Sequence, residues 1–192
     1  MIQRGFLILI FLIFGSLSGW NSYANEPPSV TLRGKPLTLM GNPLQVGQML
    51  PHVLLPDLSL NMVDLESFKG TVTILSVVPS IDTPTCEKQT HILSEKNEGL
   101  DKTTNLITIS RDLPFAQKRF SKNANIHNIT FLSDYRDGKF GKSSGLLIDE
   151  NRLLARALIV LDRKGVIRYL EIVSELSKLP EMKKAFEIAR SL

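Results

Sequence analysis

Apolar and polar positions along the chain follow patterns that predict both strands and helices. Residues 71–78 (TVTILSVV) form an almost unbroken apolar and β-branched run, which is typical of a central strand buried on both faces. A helix is expected from Thr83 to about Asn97, with Gly99 beyond its end. Strand and helix then alternate, with strands predicted over 105–110 and 129–132 and a helix over 114–123.

Two hairpins and a closing helix complete the predicted fold. The hairpins are expected over 30–40, turning at Gly34, and over 154–173, turning at 163–165; residues 41–56 are expected to form a loop and 180–192 a helix. Because strands and helices alternate before a final hairpin and helix, the fold class is α/β. We expect a single domain over 30–192, a sandwich with a mixed central sheet flanked by helices and an N-terminal β-hairpin.

The first 24 residues have the features of a secretory signal peptide. Arg4 precedes the apolar run 6–14 (FLILIFLIF), and Ser22 and Ala24 supply the small residues of a cleavage site after Ala24. Residues 25–29 are then a flexible leader. The alternative is an uncleaved membrane anchor formed by residues 6–20, but the strongly apolar part is shorter than the ~20 residues that span a bilayer. The sequence therefore predicts export, to the periplasm of a bacterium.

Composition excludes several classes of function. The chain has 192 residues, of which 43% are hydrophobic, and a net charge of +4 with basic and acidic residues interspersed, so a nucleic-acid partner is not expected. His52, His91 and His127 lack metal-ligand spacing, so no metal site is expected. The glycines of 138–145 do not form a phosphate-binding loop, and no cofactor is indicated.

The sequence contains one cysteine, Cys86, which is unusual for an exported protein. Thr83 is suited to a helix N-cap and Pro84 to the first helical position, which places Cys86 in the first turn. Free backbone N–H groups and the helix dipole favour a thiolate there, and only the thiolate is a good nucleophile. The residues alone leave three possibilities: an intermolecular disulfide, a buried inert thiol, or a reactive thiol.

Four segments resemble one known family. Residues 79–86 fit the motif PxxxTxxC of peroxiredoxins, and the thiol peroxidase branch of that family is resembled by 76–86 (SVVPSIDTPTC), 110–120 (SRDLPFAQKRF), 132–137 (LSDYRD) and 153–157 (LLARA). The resemblance covers 30–192 and implies a thioredoxin-like fold. It also implies an enzyme that reduces hydrogen peroxide and organic hydroperoxides with electrons from thiols, working as a homodimer paired around the active-site region.

The resemblance also implies roles for four residues. Cys86 is the peroxidatic cysteine, which becomes a sulfenic acid, and Thr83 hydrogen-bonds the thiolate and the peroxide. Pro79 shields the pocket from water, and Arg156 holds the thiolate and the peroxide oxygens. A permanently charged guanidinium suits the charge that develops when an O–O bond breaks. Without the resemblance, Arg156 is better interpreted as a solvated or salt-bridged strand residue.

The sequence departs from the thiol peroxidase pattern at Ser121. Members of this branch usually carry a resolving cysteine at that place, and a serine hydroxyl cannot attack a sulfenic acid to form a disulfide. We therefore expect a one-cysteine mechanism, in which an external thiol, either a thioredoxin-like protein or a low-molecular-weight thiol, resolves the sulfenic acid. The alternatives are a thiol sensor that forms a mixed disulfide without turnover, and an inactive scaffold.

Overall fold

The computed structural model describes residues 29–192. The predicted signal peptide over 1–24, its cleavage site, the alternative anchor over 6–20 and all but the last residue of the leader lie outside the described residues. Within the part that is described, no helix has the length and apolar character needed to cross a membrane.

The described chain folds into eleven strands and four α-helices. The strands are β1 (Val30–Leu32), β2 (Lys35–Leu37), β3 (Leu39–Met40), β4 (Leu54–Pro56), β5 (Met62–Asp64), β6 (Val72–Val77), β7 (Thr104–Ser110), β8 (Thr130–Ser133), β9 (Leu147–Ile148), β10 (Ala157–Leu161) and β11 (Ile167–Ile172). The helices are α1 (Pro84–Glu95), α2 (Pro114–Asn123), α3 (Lys139–Ser144) and α4 (Met182–Arg190). Short 3-10 turns occupy Leu65–Phe68 and Leu100–Lys102.

A five-stranded mixed sheet in the order β11-β10-β6-β7-β8 forms the centre of the molecule. Strands β6, β7 and β8 run parallel, whereas β10 is antiparallel to both β6 and β11. All six residues of β6 are buried, as expected for an apolar run covered on both faces. The predicted α/β sandwich with a mixed sheet is therefore confirmed.

Successive residues of the sheet strands enter two separate cores. On β6, Ile74 packs in the cluster that also holds Leu93 of α1 and Phe186 of α4. Its neighbour Leu75 packs in the opposite cluster, together with Phe140 of α3. Because side chains of a strand alternate between faces, this pattern places α1 and α4 on one face of the sheet and α3 on the other.

The hairpins differ from the expectation in detail. β1 pairs with β2 as predicted, but Leu39–Met40 leaves that hairpin and pairs with β9 instead. Within the predicted loop 41–56, Leu54–Pro56 pairs with β5. A proline is compatible with this two-stranded edge, where not every N–H must be donated to a neighbour. The C-terminal hairpin is confirmed, although β10 begins at Ala157 rather than at Leu154.

Candidate active site

Cys86 lies where the central strand passes into a helix. After β6 the chain crosses a short loop to Thr83, whose backbone is extended and whose carbonyl accepts the first helical bond, from the Glu87 N–H at 2.9 Å. Pro84 follows at the first helical position, so Cys86 is the third residue of α1. The predicted N-cap and first-turn position are confirmed, and Cys86 is one of the residues whose N–H groups have no partner within the helix.

The Cys86 side chain has no solvent-exposed surface. It forms a small apolar cluster with Val78 and Ile81, against which Phe120 of α2 packs. Burial in apolar surroundings disfavours a thiolate unless a positive charge or hydrogen bonds compensate. The neighbours of the sulfur therefore decide whether Cys86 is a reactive thiol or an inert core residue.

Arg156 supplies that compensation. Its Nη2 lies 3.4 Å from the Cys86 Sγ, although the two residues are 70 positions apart in the sequence, and its side chain is only 2% exposed. Nε and Nη2 both donate to the Leu176 carbonyl, at 3.0 and 2.8 Å. A buried cation at this distance favours negative charge on the sulfur. Arg156 is thus a buried neighbour of the thiol and not a solvated strand residue.

Gln89 is a member of this group that the sequence did not indicate. Its side chain is fully buried; Oε1 accepts from Arg156 Nη1 at 2.6 Å, and Nε2 donates to Ser76 Oγ on β6 at 2.8 Å. Gln89 follows Cys86 by three positions, so both side chains lie on one face of α1. The three-residue spacing from Cys86 was the signal that the sequence offered. It places Gln89 beside the candidate nucleophile, where a buried amide needs a polar partner.

Thr83 and Pro79 lie in the loop that carries the cysteine. The Thr83 side chain is exposed, and Oγ1 donates to the Ser80 carbonyl at 3.0 Å instead of capping α1 or contacting the sulfur. Pro79 is buried next to Val78. The structure therefore brings Arg156 to the thiol, while the hydroxyl of Thr83 is bound to the Ser80 carbonyl and does not contact the sulfur.

A cleft between α1 and α2 opens beside the cysteine loop. Its lining includes Ile81 and Thr83 from the loop and Phe120 from α2. Ile81 and Phe120 also belong to the apolar group around Cys86, so these two side chains separate the cleft from the sulfur.

Ser121 stands near the C-terminal end of α2. It is half-buried, and its hydroxyl donates to the Ile126 carbonyl at 3.4 Å. Because Cys86 is the only cysteine of the 192-residue sequence, no intramolecular disulfide can form.

A second polar group lies on the β4–β5 side of the molecule. His52, Asp64 and Glu66 place one ligand-type atom each within 4.8 Å of one another. Asp64 already accepts hydrogen bonds from His52 at 3.0 Å and from the Glu66 N–H, and Glu66 pairs with Lys69 at 2.6 Å. These are the ordinary contacts of a surface turn, and the expected lack of a metal site stays a prediction.

Comparison with known proteins gives a consistent result. The chain matches the Redoxin family over residues 45–186. It is 43% identical over 163 residues to the thiol peroxidases of Halalkalibacterium halodurans and Bacillus subtilis, covering 85% of this chain and 98% and 97% of those proteins.

Solved structures agree with the sequence relatives. A peroxiredoxin-like protein from Aquifex aeolicus superposes with a TM-score of 0.80 at 34% identity, covering 85% of this chain and 96% of that one. The thiol peroxidase from Chromobacterium violaceum gives a TM-score of 0.75 at 25% identity, covering 86% and 97%. These matches confirm the thioredoxin-like fold, and the chain belongs to the peroxiredoxin family, in its thiol peroxidase branch.

Proposed function

We propose that this thiol-dependent peroxidase reduces hydrogen peroxide and organic hydroperoxides through Cys86 by a one-cysteine mechanism. The observation that carries the proposal is the buried guanidinium of Arg156, 3.4 Å from the Cys86 sulfur at the start of α1. An inert core cysteine does not need a buried cation beside it, because the desolvation of that cation costs several kcal/mol.

In the first step the Cys86 thiolate attacks the terminal oxygen of the peroxide. An S–O bond forms, the O–O bond breaks, and the departing oxygen leaves as water or an alcohol after taking up a proton. Arg156 and the N–H groups of the first turn of α1 face the negative charge that moves from sulfur to oxygen. Thr83 donates its hydroxyl to the peroxide once it leaves the Ser80 carbonyl, and Pro79 keeps water from the pocket.

In the second step an external thiol regenerates the enzyme. Its thiolate attacks the sulfenic sulfur, hydroxide leaves and is protonated to water, and a mixed disulfide with Cys86 forms. A second thiol then attacks the sulfur of the first, so that a disulfide between the two external thiols forms, the bond to Cys86 breaks and Cys86 leaves as a thiolate. The cleft between α1 and α2 is the route by which either a small thiol or the cysteine of a thioredoxin-like protein approaches.

Stopped-flow kinetics test this assignment. The wild type should consume one equivalent of peroxide rapidly and then turn over when a thiol is added, whereas Cys86→Ser should do neither. A single stoichiometric reaction with no turnover on any thiol, small or protein, would support the thiol sensor, which the thiol peroxidase relatives do not favour. An unmodified Cys86 after peroxide treatment would contradict both the peroxidase and the thiol sensor.

Export and dimerisation belong to the same proposal. The apolar run behind Arg4 supports a signal peptide cleaved after Ala24 and a periplasmic location. Leu113 and Phe115, at the start of α2, are 51% and 62% exposed, and apolar surface of this kind supports a homodimer paired near the active site. N-terminal sequencing of the protein from the periplasmic fraction tests cleavage after Ala24 and export. Analytical ultracentrifugation tests the homodimer, which should be present in the wild type and weakened in Phe115→Glu. An intact N-terminus in the membrane fraction would favour the anchor.

A further inference from the structure

Asp112, between β7 and α2, makes the main polar link between the cysteine loop and the rest of the sheet. Its Oδ1 accepts from the Ser80 hydroxyl at 2.7 Å, and its Oδ2 accepts from the Ile81 N–H at 2.8 Å. Oδ2 also accepts from the Ser110 hydroxyl, at 2.6 Å. One carboxylate therefore joins the end of β7 to the two loop residues that precede Asp82 and Thr83.

Asp112 is itself held from several sides. The Ser133 hydroxyl of β8 donates to the Asp112 carbonyl. Gln117 of α2 is fully buried, and its Nε2 donates to Ser110 Oγ at 2.9 Å and to the Leu132 carbonyl at 3.0 Å. Because β7, β8 and α2 all contact this junction, the carboxylate is a fixed point against which the loop is placed.

The loop transmits this placement to the cysteine. Ile81, whose N–H is bound by Asp112, is 1% exposed and packs in the Cys86 cluster. Ser80, whose hydroxyl is bound by Asp112, accepts from the Thr83 hydroxyl through its carbonyl. Thr83 is the N-cap of α1, so its position sets where the first turn begins.

We propose that Asp112 is a positioning residue for the peroxidatic cysteine, which holds the loop so that the first turn of α1 presents Sγ to Arg156. The proposal rests on the proposed function. The direction of the rate change in an Asp112 variant separates positioning from a simple charge effect. A carboxylate on its own disfavours a thiolate, so removing the charge alone should leave Cys86 equally reactive or more reactive.

Three variants test the proposal in the full chain. Asp112→Asn keeps the shape of the side chain but removes the charge and one acceptor, and Ser80→Ala removes a hydroxyl without changing any charge. Asp137→Asn is the matched control, because Asp137 is 68% exposed and its nearest cation, Lys139, is 4.0 Å away. Each protein is assayed for native alkylation of Cys86 by iodoacetamide, for first-turnover reduction of hydrogen peroxide, and for thermal unfolding.

We expect Asp112→Asn to slow both reactions about tenfold or more, because hydrogen bonds to a charged group are stronger than those between neutral groups and the variant loses that charge. Ser80→Ala should slow both by about threefold or more, because one of the hydrogen bonds to the Asp112 carboxylate is lost while the bond from the Ile81 N–H remains. Asp137→Asn should stay close to the wild type, and all variants should alkylate equally in denaturant. A purely structural role would lower the melting temperature and leave the native rates unchanged.

The possible outcomes are distinct. If Asp112→Asn and Ser80→Ala alkylate and reduce peroxide as fast as Asp137→Asn, or faster, the positioning role is refuted. If Asp112→Asn does not fold, Ser80→Ala alone decides in the same way. If the wild type leaves peroxide untouched while the alkylation rates still fall in the expected order, the proposed function fails and the positioning of the thiol stands.

Discussion

Replacing Arg156 by methionine separates the effect of its charge on reaction from its effect on stability. Methionine fills a similar volume without a donor, so two buried acceptors, the Leu176 carbonyl and Gln89 Oε1, lose their partner. Each unsatisfied acceptor costs about 1–3 kcal/mol, or about 2–6 kcal/mol for the two. Against this, the variant no longer buries a cation, whose desolvation costs several kcal/mol. These terms oppose each other and are similar in size, so we expect the free energy of unfolding to change by about 2 kcal/mol or less.

The rate of peroxide reduction is not compensated in the way that stability is, because methionine offers no donor to the reacting oxygen. A fixed donor that faces charge developing in the transition state is worth about 2.7–4 kcal/mol, so first-turnover peroxide reduction by Arg156→Met should fall about 10²–10³-fold. Arg156→Lys keeps the charge but loses the planar fork that binds two acceptors at once, and its rate should lie between those of the wild type and the methionine variant.

The assay is stopped-flow peroxide consumption without added thiol, paired with urea unfolding of the same samples. A rate for Arg156→Met within tenfold of the wild type would refute the role of the guanidinium in stabilising the departing oxygen. A loss of rate accompanied by loss of the unfolding transition would be a folding effect, and the lysine variant would then decide.

Three further predictions follow from the site and from the N-terminal hairpin. Ser121→Cys should form an intramolecular disulfide with Cys86 after one equivalent of peroxide, as detected by mass spectrometry. A persistent free thiol at position 121 would show that the missing cysteine is not the only difference that prevents this disulfide. Repeated peroxide additions without reductant should inactivate the wild type as Cys86 passes to sulfinic and sulfonic acids, because no internal thiol traps the sulfenic acid; undiminished activity would contradict this. Hydrogen bonds from the Gly34 N–H, the Ser177 hydroxyl and the Arg33 N–H lower the pKa of Glu175 from 4.5. A lowered pKa stabilises the fold above the unfolded-state value, so the wild type should be more stable than Glu175→Gln at neutral pH and lose that advantage as the pH falls below about 4.5; an advantage that is unchanged at pH 3 would refute this.

Local patterns predicted the elements that carry the cysteine. Helix α2 spans the predicted residues, and its start followed from Pro114, which fits a first helical position. Strand β6 and the start of α1 at Thr83 followed equally from apolar runs and capping residues. The two-residue pairing of β3 with β9 was missed, since so short a strand leaves no periodic signal.

The environment of the thiol was less accessible from the sequence. Arg156 stands in the apolar run 153–161 (LLARALIVL), but a charged residue in a strand is usually solvated or salt-bridged, so only its place in a family motif pointed to the site. Its anchor is the main-chain carbonyl of Leu176, a group that every residue type provides, so no sequence pattern identifies it. Asp112 stood inside a recognised motif, but the contact with Ser80 spans 32 positions and depends on the parallel pairing of β6 with β7.

The distance along the chain between the sulfur and its guanidinium has a consequence for biosynthesis. An elongating or unfolded chain lacks this contact, because the guanidinium is held at the sulfur by the pairing of β10 with β6 and by the Leu176 carbonyl. Sensitivity to oxidants is therefore a property of the tertiary fold and not of the local sequence around Cys86. A chain that has not yet folded is therefore spared the chemistry that the folded protein performs.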